Sequence, residues 1–323
     1  MKVLLTGAAG FIGFHIARRL LARGDEVVGV DSVNDYYSVS LKRDRLAQLD
    51  PLPRFTFLEM DLARPGLAEI LSDAVAGTDV IVHFAAQAGV RYSTENPFAY
   101  VDSNVTGQVA MLELASRLPG KPPIVYASSS SVYGAAEEVP FSESARADKP
   151  ISVYAATKRA AEMLAHSYLD LHGLRSTGLR LFTVYGPYGR PDMAPWLFTD
   201  AILAGRPIQV FNDGKMERDF TYVDDIVNGV VAAADRLARG APAEPIYNLG
   251  NNNPVQLLDF IAAIESACGR KAKLEMKPKP PGDVVRTCAD ITLAERDLGY
   301  APHTRVATGM AEFVDWFRGY NNR

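Results

Sequence analysis

The sequence predicts an α/β protein with a doubly wound parallel sheet and a smaller α/β domain that binds substrate. Three observations support this fold class. The chain starts with a strand, a glycine turn, a helix and a second strand; strands and helices then alternate to about residue 180; and the composition changes beyond that point. A chain of 323 residues is long enough for two domains of ordinary size.

The first unit has an apolar strand at 2–5, a glycine-rich turn at 6–13, an amphipathic helix at 14–22 that Gly24 ends, and a buried strand at 26–30. Further strands are predicted at 55–59, 79–83, 124–127 and 174–181, and long helices at 97–117 and 153–172. Because parallel strands are joined by crossover connections that are usually helices, this order predicts one sheet of six or more parallel strands.

The second half has a different character. Prolines at 187, 191, 195 and 207 break the pattern into short elements, a helix is predicted at 221–237, and a proline-rich loop at 277–283 separates two small α/β pieces. We therefore predict a first domain over 1–182, to which segments around 222–250 return, and a second domain mainly over 183–323.

Composition excludes several classes of function. The formal charge is 34 − 38 = −4 with no run of Lys or Arg, so neither nucleic acid nor a membrane surface is an expected partner. No apolar stretch reaches 18 residues, and the apolar start is too short for a signal peptide. Two cysteines and five scattered histidines show neither a disulfide framework nor metal-ligand spacing. We expect a cytoplasmic enzyme without a metal.

The glycine turn predicts a dinucleotide site. Gly7, Gly10 and Gly13 follow a strand and open a helix, so backbone N–H groups of the turn, which includes Phe11 and Ile12, can approach a pyrophosphate at the helix N-terminus. Asp31 ends the next strand, where a carboxylate accepts hydrogen bonds from ribose hydroxyls and repels a 2′-phosphate. These residues favour NAD over NADP.

A tyrosine and a lysine predict the chemistry. Tyr154 and Lys158 are four residues apart on the helix predicted at 153–172, so both project from one face. A phenol has a pKa of about 10, but a cation about 4 Å away, at an effective dielectric near 20, contributes roughly 4 kcal/mol and lowers that pKa by as much as about 3 units. A positive nicotinamide ring acts in the same direction. We expect Tyr154 to take a proton from a sugar hydroxyl while the carbon that carries it is oxidised by NAD.

The glycine spacing resembles that of the extended short-chain dehydrogenase/reductase superfamily, which has a Rossmann-type fold. The resemblance implies that Asp61 and Leu62 hold the adenine, that residues 84–86 (Phe84, Ala85 and Ala86) line the cofactor, and that Ser129 shares the substrate proton with Tyr154. It also implies a homodimer in which the helices at 97–117 and 153–172 pair into a four-helix bundle. Related dehydratases and decarboxylases carry acids where this chain has Ser130 and Ser131, which argues against dehydration.

Longer segments resemble one subgroup, the UDP-glucuronate 4-epimerases. They are the loop at 31–37, which includes Asn34, the pattern Leu41-Lys42-x-x-Arg45-Leu46, and the runs at 85–93, 179–194 and 218–225. The resemblance implies an NAD-dependent isomerase that converts UDP-glucuronate to UDP-galacturonate through a 4-keto intermediate, with NAD in the first domain and the UDP-sugar in the second. Asn34 is counted with the cofactor site, and the expected substrate-binding residues are Arg91, Ser128, Ser129, Ser130, Thr183, Arg190, Arg218 and Arg286.

Three alternatives stay open. The first is epimerisation of a neutral sugar, UDP-glucose or UDP-N-acetylglucosamine, although UDP-glucose 4-epimerases place an asparagine where Thr183 stands. The second is decarboxylation of UDP-glucuronate, which the missing acid at Ser131 disfavours. The third is a non-catalytic NAD-sensing protein, which would have no need to keep Ser129, Tyr154 and Lys158 together.

Overall fold

A parallel sheet organises the first half of the chain, as the alternating pattern predicted. The computed structural model describes residues 1–64, 66–71, 73–136, 138–242, 245–279 and 284–322, and within these ranges the sheet has seven strands. They are β1 (Lys2–Thr6), β2 (Glu26–Asp31), β3 (Phe55–Glu59), β4 (Val80–His83), β5 (Ile124–Ser129), β6 (Ser176–Leu181) and β11 (Ile246–Leu249). Their order is β3-β2-β1-β4-β5-β6-β11, so the direction of winding changes between β1 and β4.

Helices cover both faces of this sheet. The helices of the first part are α1 (Phe11–Arg23), α2 (Val39–Leu49), α3 (Leu67–Leu71), α4 (Tyr92–Glu95), α5 (Pro97–Tyr100), α6 (Gly107–Arg117) and α7 (Val153–His172). Alternate residues of β1 face opposite layers: Val3 and Leu5 pack with α1 and α9 (Val223–Ala238), and Leu4 packs with α3 and α6. The sheet is therefore buried on both sides, which explains its continuous apolar strands.

Shorter elements form the second half. The strands are β7 (Thr183–Tyr185), β8 (Pro207–Phe211), β9 (Glu217–Arg218), β10 (Phe220–Tyr222), β12 (Val255–Gln256) and β13 (Lys273–Lys277), and the remaining helices are α8 (Ala194–Leu203), α10 (Leu257–Cys268), α11 (Thr292–Leu298) and α12 (Val306–Asn321). These strands pair two by two, β10 with β7, β12 with β9 and β13 with β8. Residues 280–283 of the predicted proline-rich loop lie outside the described residues, and the domain boundary at 182 stays a prediction.

The long helix predicted at 97–117 is interrupted. Residues Val101–Thr106 are π-helical between α5 and α6, and the buried Asn104 lies in this segment. The Asn104 amide accepts the backbone N–H of Gln87 at 2.7 Å and donates to Thr157 at 3.0 Å. Sequence periodicity carried no sign of this interruption. Among the described residues, no helix is both long and apolar enough to cross a bilayer.

Candidate active site

A groove of about 460 Å³ runs along the carboxyl ends of the parallel strands. It crosses the point between β1 and β4 where the winding changes direction, which is where doubly wound sheets bind ligands. Most residues predicted for the two sites line this groove: Gly7, Gly10, Phe11, Ile12, Gly13, Asp31, Asn34, Asp61, Leu62, Phe84, Ala85, Ala86, Ser128, Ser129, Ser130, Tyr154, Lys158, Thr183, Arg190 and Arg218.

The glycine turn leaves a helix N-terminus open to the groove. Gly7 has φ +78°, and a Cβ added there would lie 2.7 Å from the Ala85 nitrogen, so the turn packs directly on the end of β4. In this described segment α1 begins after Gly10 without a side-chain cap, and its first turn carries no acidic residue. The N–H groups and the helix dipole are thus available to an anion such as a pyrophosphate.

Asp31 is the last residue of β2 and lies beside the glycine turn. Its carboxylate accepts N–H groups from Ala9 at 3.1 Å and from Val33 at 2.8 Å, so it also fixes the shape of the glycine turn. Burial raises the pKa of Asp31, while those hydrogen bonds and the charges of Lys42 and Arg45 act in the opposite direction. An acceptor in this position suits the ribose of NAD.

Further residues that line this half of the groove follow β3 and β4. The Asp61 carboxylate accepts the Ala63 N–H at 2.9 Å, which is a local turn contact, and Leu62 is buried beside it. The segment 84–86 follows β4 and lies against the glycine turn, where the Ala85 N–H donates to the Thr6 hydroxyl at 3.1 Å. The residues present fit a bound dinucleotide: an acidic end, an apolar wall and an open helix terminus.

Tyr154 lies in the first turn of α7, whose N-cap is Ser152. Burial raises the pKa of the Tyr154 phenol, and a hydrogen bond with Ser129 and the charge of Arg190 lower it. Lys158 is not among the groups that shift this pKa. The spacing argument did not include this effect of burial, and the lowering of the Tyr154 pKa by Lys158 together with the positive nicotinamide ring stays a prediction.

Lys158 is buried one turn further along α7 and donates from Nζ to the Ala127 carbonyl at 2.9 Å. Burial lowers the pKa of Lys158 to about 8, and the negative charge of Glu162 opposes this effect. The ammonium therefore stays charged near neutral pH and loses its proton in mildly alkaline solution.

The serines that end β5 have different partners. Ser128 is buried and its hydroxyl donates to Glu162 at 2.6 Å, so this hydroxyl is directed at α7. Ser129 accepts the Ser131 N–H at 3.2 Å and caps the short 3₁₀ turn Ser130–Tyr133. The hydrogen bond of Ser128 favours a supporting role, and its role as a substrate ligand stays a prediction.

Glu162 is the centre of a buried charged cluster behind these serines. Arg180 donates to both of its carboxylate oxygens at 2.9 Å, and Arg159 donates at 2.7 Å. These partners lower the pKa of Glu162 against the effect of burial. Because the cluster is anchored to both β6 and α7, it fixes the end of β5 relative to the helix that carries Tyr154.

Two of the predicted arginines do not line the groove. Arg91 is exposed and stacks on the Phe211 ring at 5.1 Å, and Arg286 forms an exposed ion pair with Glu217 at 2.7 Å. Arg218 does line it and donates to the Val285 carbonyl at 3.1 Å. Of the three, Arg218 has the best position for a phosphate.

The Arg190 side chain lines the groove near Tyr154 and forms an ion pair with the Asp192 carboxylate. Its Nε and Nη2 donate to the two oxygens of Asp192 at 2.9 and 2.5 Å. The Tyr36 hydroxyl donates to the same carboxylate at 3.2 Å.

Nearby, the fully buried Arg45 donates to the Ala9 carbonyl at 2.8 Å and to the Tyr188 carbonyl at 2.6 Å, so it joins the glycine turn to the loop before Arg190.

Several residues of the site were given no role by sequence reasoning. Lys42 is buried and donates to the Asn34 backbone and side chain at 2.6 and 2.7 Å, beside Asp31. Tyr36, Lys42 and Arg45 all belong to segments that resemble the epimerase subgroup, and this was the signal available for them. Glu162 carried no such signal.

Comparison with known proteins gives consistent matches. The profile of the NAD dependent epimerase/dehydratase family matches residues 3–250. UDP-glucuronate 4-epimerase 2 of Arabidopsis thaliana is 48% identical over 99% of this chain and 76% of its own length. UDP-glucuronic acid 4-epimerase from Bacillus cereus, solved in complex with UDP-glucuronic acid and NAD, has a TM-score of 0.90 and 33% identity over 99% of this chain and 100% of its own.

A neutral-sugar enzyme is also similar in structure. UDP-glucose 4-epimerase from Thermotoga maritima, solved with UDP-glucose, has a TM-score of 0.88 and 27% identity over 99% of this chain and 100% of its own. The backbone is thus nearly as close to this enzyme as to the Bacillus cereus enzyme. What separates the two matches is sequence identity, which is higher for the enzyme solved with the sugar acid.

Proposed function

The chain belongs to the NAD dependent epimerase/dehydratase family, and from that membership we infer that it is a UDP-glucuronate 4-epimerase. It is an NAD-dependent isomerase that interconverts UDP-glucuronate and UDP-galacturonate through a 4-keto sugar. The observation that carries this function is the groove itself. It joins a dinucleotide-shaped half at the glycine turn to a half in which Tyr154, Thr183 and Arg190 face one space.

We propose that Tyr154 moves the proton. In the forward step its phenolate takes the proton of the C4 hydroxyl, with Ser129 hydrogen-bonded to the same oxygen, and it returns that proton after the sugar has turned over. Bound NAD supplies the two-electron oxidation of C4 and its reversal, and its positive ring also favours the phenolate. Since the oxidation is reversed in the same site, no external oxidant is consumed.

Lys158 has a supporting role in this proposal. Its ammonium feels the negative charge of Glu162, and its bond to the Ala127 carbonyl holds it near the end of β5. A fixed cation here favours the anionic form of a neighbouring hydroxyl, whether phenol or ribose. Its loss of charge near pH 8 sets an upper limit on the pH range of activity.

The sugar acid needs donors for its carboxylate. We propose that Thr183, Arg190 and the hydroxyls of Ser129 and Ser130 supply them, and that Arg218 contacts a phosphate of UDP. The 4-keto intermediate is a β-keto acid, which loses CO₂ when the carboxylate bond aligns with the ketone. Donors that hold the carboxylate out of that alignment preserve the six-carbon sugar.

The test is to incubate the purified protein separately with UDP-glucuronate, UDP-glucose and UDP-N-acetylglucosamine and to resolve the products by NMR. We expect UDP-galacturonate from the first and little conversion of the others. Tyr154→Phe should abolish conversion while the protein keeps its NAD. Faster conversion of UDP-glucose, or a UDP-pentose product with release of CO₂, would assign the chain to a different reaction.

We also propose a homodimer in the cytoplasm, with residues 1–182 as the NAD domain and 183–323 mainly as the UDP-sugar domain. Large apolar side chains stay exposed on α5 and α7, notably Phe98 at 77%, Met163 at 60% and Leu171 at 74%, which supports an interface on these helices.

The cysteines, Cys268 and Cys288, are both buried and unpaired, as is usual in a reducing compartment. Sedimentation velocity measures the oligomeric state directly.

A further inference from the structure

The guanidinium of Arg190 is shared between the groove and an internal carboxylate. Asp192 takes Nε and Nη2 in a two-point contact that does not use Nη1, and the guanidinium also has a side-chain hydrogen bond with Tyr36. The ion pair lowers the pKa of the Asp192 carboxyl from its usual value, although burial alone would raise it. It also raises the pKa of the Arg190 guanidinium from its own usual value, although burial alone would lower it. Arg190 therefore presents one edge to a ligand, with its charge largely balanced from the other edge.

A residue of the first domain holds this carboxylate in place. The Tyr36 hydroxyl donates to Asp192 at 3.2 Å, and the Arg190 guanidinium lies 5.9 Å from the centre of the Tyr36 ring. The Tyr36 ring also packs on Tyr92 at 4.9 Å, and its hydroxyl lies where a side chain on Gly89 would be. Asp192 is thus fixed from two sides, which makes its contact with Arg190 part of the built site.

We propose that Asp192, fixed by Tyr36, is a positioning residue that limits how strongly Arg190 binds the carboxylate of the sugar acid. The inference rests on the proposed function. An epimerase must let the 4-keto sugar turn over between two poses, so a carboxylate that is bound too strongly in one pose slows the reaction. With Asp192 in place, the substrate carboxylate meets half of a guanidinium, and it can leave and rebind during the turn.

The experiment replaces the charge and keeps the shape. In Asp192→Asn the anion that balances the guanidinium charge is lost while the amide still occupies that edge, so the free edge attracts a ligand carboxylate more strongly, by about tenfold in affinity. We expect the KM for UDP-glucuronate to fall by about tenfold and kcat to fall by a similar factor. Titration calorimetry should show tighter binding of UDP-glucuronate and unchanged binding of UDP-glucose, because only the first has a carboxylate.

Two further variants give the comparison. Asp192→Glu keeps the charge, so its KM should stay within about threefold of the original. Asp200→Asn removes a similar partner from Arg206 on the surface, away from the groove, and should leave both constants unchanged. A KM for Asp192→Asn that is unchanged or higher would overturn the proposal. It would mean that Asp192 either has no effect on the affinity of Arg190 for the substrate carboxylate or increases that affinity.

These experiments distinguish failure of the proposed function from failure of the role given to Asp192. If the original protein fails to convert UDP-glucuronate, the proposed function is wrong. The calorimetric comparison of UDP-glucuronate with UDP-glucose then still tests Asp192. If conversion occurs but Asp192→Asn shows neither the lower KM nor the lower kcat, the proposed function stands and the role given to Asp192 is wrong.

Discussion

Replacing Glu162 with glutamine should shift the alkaline limit of activity to lower pH. Glu162 is four residues beyond Lys158 on α7, a spacing that puts Cβ atoms about 5–6 Å apart, so roughly 6 Å is the expected separation of the two charges. At an effective dielectric near 20, one charge at that distance contributes about 2.8 kcal/mol, or about two pKa units. Arg159 and Arg180 already neutralise part of this charge, so about one unit is the expected change. The pKa of Lys158 should fall from about 8 to about 7.

The direction follows from which form is active. If catalysis needs the Lys158 ammonium, activity is full below its pKa and is lost as the pH rises through it. We expect kcat/KM in Glu162→Gln to be about threefold lower at pH 7.5 and roughly eightfold lower at pH 8.5, with little change at pH 6. The assay is a pH profile of kcat/KM from pH 6 to 10, in buffers of constant ionic strength.

A buried ion pair broken on one side is also destabilising, by about 3–5 kcal/mol. Urea denaturation and circular dichroism must therefore show that the variant is folded at the assay temperature. The matched control is Glu113→Gln on α6, whose carboxylate accepts Tyr168 at 2.5 Å and pairs with Arg117. A folded Glu162→Gln protein whose alkaline limit does not move, or moves upward, would refute the coupling to Lys158.

Two further predictions concern the cofactor half of the groove. Asp31→Ala should weaken the binding of NAD by about a hundredfold, since two hydrogen bonds to a carboxylate are lost, and weaken the binding of NADP much less. A fluorescence titration measures both affinities, and an equal loss for both would mean that the change only distorts the turn. Arg45→Met should lower the free energy of unfolding by about 3 kcal/mol and loosen NAD, because the carbonyls of Ala9 and Tyr188 lose a buried charged donor. The exposed neighbour Arg43→Met is the control, and equal urea midpoints for the two variants would contradict the role given to Arg45.

The sequence was sufficient for the fold and for the residues whose chemistry is local. The glycine turn, Asp31 and the Tyr154–Lys158 pair follow from short-range spacing, and all of them line the groove. Contacts between distant segments were not predictable in this way. Asp192 meets Tyr36 across 156 residues, and Glu162 meets Arg180 from another element.

The two arginines that miss the groove show the same limit. Arg91 was expected in the site because its segment resembles the epimerase subgroup, and Arg286 because two phosphates need guanidinium groups, but their side chains contact Phe211 and Glu217. The pKa of Tyr154 is a third case, because the cost of burial depends on surroundings that spacing does not describe. Residue types and intervals identify candidates, and the tertiary packing decides which of them face the ligand.

The position of β11 at the end of the sheet affects how the chain can be made. β6 is complete at residue 181, but its outer partner is translated some 65 residues later, at Ile246–Leu249. Until then, β6 has an unpaired edge, which is a site for wrong pairing with other chains. The nascent first half therefore needs the second half for closure of its own sheet. A fragment cut at residue 182 should aggregate rather than fold as a separate unit.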